Sequence, residues 1–554
     1  MGHPLREITV VSQQQQSFGI GVKPTYRVNP LTDIDQVHNR RPPVRIGHCC
    51  HIASWFVQQQ VAFLLGRNLV AVGYDVVGIR VGKIANIRRF SVYLHPPFGD
   101  QLFGLPPRRN ARRGQNFVKS LFHIPISLSQ TLWLFTGLCT RYHLAGFTLN
   151  RSSTTRNAST ERPAMTYDLV IKNGTVIDPA QGIHAKKDIA VAGGKIAVIE
   201  DYVSDGDTHD VIEADDLLVT PGLVDLHVHV WWGVAHLAIE ADPACVHRGV
   251  TTAIDAGSSG SNTIAGFHRY VIDEVNTRVL AFLHISGMGQ LDNDIGELED
   301  IRWARVEKAV EAAKLHSDVI VGIKVRLTEA IVGSNDMVAL DRALEAGGEL
   351  NKPVMIHIGG TVSKFENFLE KLRPGDIVTH SFTGNSHGIL DNNNKVIDAA
   401  WDAMKRGIIF DVGHGAGSFS FPVAEACLEQ GLGPGTVSSD VHRYNVRGPV
   451  FDLMTTLSKY IHLGYSIDDA LALGTTKPAT AVGLPDHIGT LKVGADADIA
   501  IVQHREGPVT FRDAAGNERS GNQLLLPVET LRKGRRFNPV HSVHPHLVGH
   551  PHRH

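Results

Sequence analysis

Residues 221–230, PGLVDLHVHV, constrain this chain more than any other stretch. An apolar, strand-like run ends in two histidines one residue apart, His227 and His229. On a strand, residues i and i+2 share a face, so both imidazoles leave its end together. Neutral imidazoles that converge are ligands for a Zn²⁺-type ion. In a chain with 30 histidines such a pair is weak alone, and its meaning depends on what the fold sets beside it.

The 554 residues leave room for a large domain and a smaller one, and 43% hydrophobic with 20% charged residues suits a soluble globular chain. The net charge of −2 hides a split. Residues 1–164 hold 20 Lys and Arg against 6 acidic residues, whereas the remainder holds 34 against 50. In that leader, short apolar pieces alternate with Arg and Pro clusters and keep no period of 2 or 3.6. It reads as a disordered extension or a non-native upstream start, with a transit peptide or a nucleic-acid-binding arm as alternatives. The five cysteines form no disulfide framework and no CxxC pair, which favours the reducing cytoplasm. No apolar run reaches the length of about 18 residues that a membrane span needs.

From Met165 the pattern becomes orderly. Alternating segments at 167–178 and 188–199 carry turn signals at Asn173–Gly174 and Gly193–Gly194. Their expected completion is distant, at 489–503, so residues 165–220 and 487–537 form one small β-sandwich domain. Between them, at 221–486, strand and helix patterns alternate. Eight candidate strands, 223–230, 251–257, 279–286, 320–326, 353–360, 376–383, 408–415 and 436–442, predict an α/β fold, a (β/α)8 TIM barrel inserted in the sandwich. The stretch 538–554 is a His-rich tail left out of the mechanism.

In such barrels chemistry sits where the strands end. Those ends carry His227 and His229, then Lys324, His357, His380 and Asp440, in that order. A buried lysine is costly unless paired or neutral. As a neutral amine it can take up CO₂ and become a carbamate, an anionic bridge between two cations. Four imidazoles, one carbamate and one carboxylate would serve two divalent ions about 3.5–4 Å apart.

The runs PGLVDLHVH, GIKVR, MIHIGG, VTHSFTG and SSDVH, with the closing GADADIAI, resemble the amidohydrolase superfamily of metal-dependent hydrolases. The strand-four lysine resembles that of the binuclear subtype. The resemblance implies two divalent metal ions, zinc foremost, and CO₂ for carbamylation of Lys324. One ion would be held by His227, His229, Lys324 and Asp440, and the other by Lys324, His357 and His380. A bridging hydroxide would be the nucleophile and Asp440 the catalytic base.

Dihydroorotases carry an arginine two residues beyond HxH, where this chain has Trp231. The phrases GIKVR, DVGHGAGSFSF and SSDVH are instead similar to the dihydroorotase-like deacetylases. The expected function is a metal-dependent amidohydrolase or deacetylase acting on an N-acyl amino acid or an acetylated hydroxy acid. The alternatives are a cyclic-amide hydrolase of the dihydroorotase, hydantoinase or allantoinase kind, and a non-catalytic scaffold barrel. Arg326, on the face of Lys324, would grip a substrate carboxylate or sit in a structural ion pair. His414, between two glycines, would be a substrate donor or part of a turn. His442 would orient Asp440 or touch the substrate, and Trp231 and Trp232 would wall the site or join the core. The expected partners are a small-molecule acyl substrate and further copies in a homo-oligomer, with no nucleic acid and no membrane.

Overall fold

The computed structural model describes residues 167–540, apart from residue 293, and two short strands upstream. Those strands, β1 (Asp75–Ile79) and β2 (Val92–His95), pair antiparallel, which the sequence pattern did not foresee. The other expectations for residues 1–164, and those for the tail from 541 onward, lie outside the described residues.

β3 (Leu169–Asp178), β4 (Ile183–Ala192), β5 (Lys195–Glu200), β6 (Val211–Glu213) and β7 (Leu218–Pro221) open the ordered chain. The β4–β5 hairpin turns at Gly193 and Gly194, whose φ values of 58° and 73° L side chains resist. The other expected turn is not one. Asn173–Gly174 lies inside β3, where Asn173 has φ 61° and the β3–β4 register slips. An Asn in the left-handed region builds a bulge as readily as a turn. Gly174 is needed there because a Cβ would stand 2.4 Å from Cγ2 of Val219 on β7.

Seven parallel strands follow, each beside the next: β8 (Leu223–Val228), β9 (Val250–Gly260), β10 (Arg278–His284), β11 (Ile320–Arg326), β12 (Val354–His357), β13 (Ile377–Thr379) and β14 (Ile409–Phe410). The expected eighth strand is an irregular segment. It closes the ring through parallel bridges from Thr436 to Asp411 and from Val441 to Val228. Asp440 N–H donates to the His227 carbonyl at 2.7 Å, and His229 N–H to that of Val441 at 3.2 Å. The eighth segment and β13 are shorter than the pattern suggests because His380 and Asp440 adopt φ values of 66° and 49°. Left-handed backbone cannot continue a ladder, and such conformations gather at working sites.

Val224, Leu226, Ile254, Ala256, Leu280, Phe282, Met355 and Ile377 pack together with Ala479, Val482 and Ile488, so the segment after β14 plugs one end of the barrel. A bulge on β8 between Asp225 and Val228 then shifts the alternation. After it His227 and His229, rather than residues 226 and 228, take the inward positions.

β15 (Ile499–Arg512), β16 (Glu518–Arg532) and β17 (Arg535–Phe537) complete the small sheet in the order β17-β16-β15-β7-β3-β4-β5, with β6 also on β3. β15 pairs antiparallel with β7, Ile499 facing Pro221, so segments before and after the barrel build one sheet. No described helix is long and apolar enough to cross a membrane.

Candidate metal centre

Parallel strands bring the six expected ligands to one end of the barrel. Four of them, His227, His229, His380 and Asp440, stand within one group of contacts. Nε2 of His227 lies 3.2 Å from Nε2 of His229 and 3.3 Å from Oδ1 of Asp440, and Nε2 of His229 lies 3.2 Å from that same oxygen. His380 joins His227 and Asp440 in a group whose ligating atoms all lie within 4.8 Å of one another. The half-buried His357 ring meets His380 edge-on, with centroids 4.2 Å apart. Lys324 is fully buried, and Gly257 makes room for it: a Cβ there would stand 2.6 Å from its Cγ.

The hydrogen bonds behind the imidazoles fix their protons. Nδ1 of His227 is 2.9 Å from Thr379 Oγ1, and that hydroxyl donates to Asp411 Oδ2 at 2.7 Å. The hydroxyl's proton is thus used, so Nδ1 of His227 carries its own proton and Nε2 is bare. His380 Nδ1 donates to the Gly413 carbonyl at 2.7 Å, with the same result. His229 Nδ1 meets Ser258 Oγ at 2.9 Å, and Ser258 in turn bonds Asp255. Such second partners orient ligating histidines and raise their basicity.

Bare nitrogens therefore face a carboxylate oxygen. His380 Nε2, Asp440 Oδ1 and Lys324 Nζ are buried without a hydrogen-bond partner. Orphans of this kind cost about 1–3 kcal/mol each, more where a charge is involved. A divalent cation among them turns the mutual repulsion into coordination, so the residues fit a metal ion.

Burial, followed by the nearby Lys324 charge, holds the His227 and His229 imidazoles well below their ordinary range. Burial likewise holds His380 down at about 4. All three stay neutral, as ligands must. Burial also lowers the Lys324 amine to about 7.

Asp440 is held by its surroundings. Asn445 donates to its carbonyl at 2.7 Å, and Asp225 accepts from the N–H and the hydroxyl of the adjacent Ser439. Burial raises Asp225 to about 7, against the opposing Ser439 hydrogen bonds. Thr379, Ser258, Asp411, Asp255, Asp225 and Asn445 were not foreseen. Asp225 stands inside the quoted PGLVDLHVH run, but no spacing rule gives it this partner.

Of the expected substrate residues, Arg326 and His442 stand beside the cluster. Arg326 pairs with His357 across β11 and β12, and its Nη1 donates to Glu297 Oε1 at 2.6 Å. Glu297 is buried, and His284 lies 2.9 Å from its other oxygen. Burial pushes Glu297 up, but Arg326 and His284 outweigh it and hold the carboxyl at about 2. The His442 ring lies 6.3 Å from that of His229, and its Nδ1 accepts from Tyr444 N–H, which leaves a proton on Nε2. His414 faces elsewhere: its Nε2 accepts from Lys459 at 2.7 Å and its ring lies 4.8 Å from Phe419. Trp231 stacks on Phe267 at 5.4 Å as core, whereas Trp232 is 60% exposed.

A parallel barrel with such a centre at its strand ends, joined to a small sheet, is the build of a metal-dependent hydrolase. Residues 218–525 match the amidohydrolase family, and the chain belongs to it. A Brucella anthropi protein named as a deacetylase is 33% identical over 365 residues, covering 66% of this chain and 86% of that one. An Enterococcus faecalis deacetylase is 32% identical over 378 residues, covering 68% and 100%. A crystal structure described as an adenine deaminase superposes with a TM-score of 0.63 at 33% identity, over 67% of this chain and 100% of that chain.

Proposed function

We propose that the chain is a binuclear metal-dependent deacylase that cleaves acyclic N-acyl amino acids or O-acyl hydroxy acids. The observation that carries this reading is the convergence of two bare Nε2 atoms and Asp440 Oδ1 within 3.2–3.3 Å of one another. His227, His229 and Asp440 would hold one Zn²⁺ ion and His357 and His380 the other, with a carbamate on Lys324 as a further anionic ligand. When bound, the ions supply an acidified water and an electrophile for the substrate carbonyl. Asp440 would accept a proton from the attacking water and return it to the departing nitrogen or oxygen. Arg326, aimed by Glu297, binds the substrate carboxylate, and the Nε2 proton of His442 is free for a substrate oxygen. The two curated relatives named as deacetylases support the same reading. The residue after HxHV, Trp231, is packed into the core and offers no cation for a ring carboxylate, which argues against a dihydroorotase. A screen with zinc and bicarbonate would test this by measuring acyl release from N-acetyl amino acids and O-acetyl hydroxy acids alongside dihydroorotate, allantoin and adenine. Turnover confined to the last three would overturn it.

A further inference from the structure

We propose that Lys459 is a positioning residue, holding His380 and Asp440 in place through the backbone of residues 413–415. Lys459 is fully buried on the helix Leu453–His462. Its Nζ donates to three acceptors from three segments: His414 Nε2 at 2.7 Å, the Pro449 carbonyl at 2.9 Å and the Arg512 carbonyl at 2.8 Å. His414 Nδ1 donates to the Gly415 carbonyl at 2.9 Å, so its Nε2 is the acceptor that Lys459 needs.

The two glycines beside His414 touch the centre. The Gly413 carbonyl takes the His380 Nδ1 proton at 2.7 Å. A Cβ on Gly413 would stand 2.2 Å from Thr379 Oγ1, and one on Gly415 would stand 2.5 Å from Asp440 Oδ2. With contacts this close, the loop cannot shift without moving both ligands. Arg512 ends β15, so Lys459 also ties the small sheet to this loop. The tip of the β15–β16 hairpin is latched to the barrel: Asp513 accepts from Phe421 N–H at 2.9 Å, and Arg519 pairs with Glu425 at 2.7 Å. The hairpin thereby buttresses the loop after β14, and His414 acts through its neighbours' backbone. This inference is independent of which acyl compound is cleaved.

The test compares Lys459→Met and His414→Phe in the full chain with Lys172→Met, which removes a buried β3 lysine bound to the Val203 carbonyl. Zn²⁺ affinity is read by chelator competition, and kcat and KM are read at saturating metal on any substrate the unaltered protein turns over. Both variants should lose about 10–100-fold in Zn²⁺ affinity or kcat, as outer partners of ligands do, with KM little changed. His414→Gln, which keeps an acceptor for Lys459, should recover most of the loss, and Lys172→Met should show none. If Lys459→Met does not fold, His414→Phe decides. Unaltered affinity and kcat in a folded variant, or an equal loss in Lys172→Met, would overturn the proposal.

Discussion

Oδ1 of Asp440 lies 3.3 Å from Nε2 of His227, one acceptor facing another where neither has a proton to share. The contact is unfavourable without a cation, and Asp440 is the one carboxylate in this close group. Asp440→Asn keeps the shape and suits the left-handed backbone, since Asn tolerates a φ of 49°. The variant should fold normally and lose about 10²–10⁴-fold in kcat, as expected when a general acid–base group is removed. Near-normal turnover would exclude Asp440 as the proton carrier.

Metal removal should reveal the same repulsion as lost stability. Zn²⁺ at a free concentration of about 100 Kd should add about 2.7 kcal/mol per site relative to the stripped protein. Urea unfolding with and without a chelator measures this. Identical midpoints would mean that the folded chain holds no ion, and the reading of the bare Nε2 atoms would fail with it.

Lys324 gives a pH signature. Burial lowers its folded-state value from 10.5 to about 7, so between those values the unfolded chain binds the extra proton. The lysine's contribution to stability therefore falls as pH drops from about 10 to about 7 and is constant below. In metal-free protein without CO₂, the difference in unfolding free energy between the unaltered chain and Lys324→Met should change across that window. A flat difference would show that the amine is not held neutral. With bicarbonate and Zn²⁺, mass spectrometry of the native protein should show one added CO₂, absent from Lys324→Met.

What the sequence made legible was whatever depends on period and spacing. The strand–helix alternation announced the barrel, and the residues at its strand ends are the side chains that gather at one end of it. Contacts between residues distant in the chain stayed hidden. Nothing local ties Asp411 to Thr379 and so to His227, or Glu297 to both Arg326 and His284. His414 misled because its flanking glycines suggested an open loop. They are glycines because Thr379 and Asp440 leave no space for a Cβ, and the imidazole between them meets Lys459 instead of the cluster. Asn173–Gly174 misled for a related reason, since a bulge and a turn use the same left-handed residue.

On the proposed function, Arg326 and Glu297 set the substrate preference. The guanidinium stands at the end of β11, two residues beyond Lys324, and Glu297 holds it at 2.6 Å. Glu297 is itself pinned by His284, so the guanidinium is aimed before any substrate arrives, and a bidentate grip on a carboxylate then loses little freedom. Arg326→Met should raise KM for a carboxylate-bearing acyl substrate by roughly 10–100-fold, the value of a hydrogen bond to a charged group. It should leave a neutral acyl ester almost unchanged. Glu297→Gln should act in the same direction but less, because the cation remains while its aim is lost. Steady-state kinetics on matched acid and ester substrates separates the cases. If both variants raise KM equally for acid and ester, Arg326 is a structural ion-pair member, and the carboxylate must be held by another group.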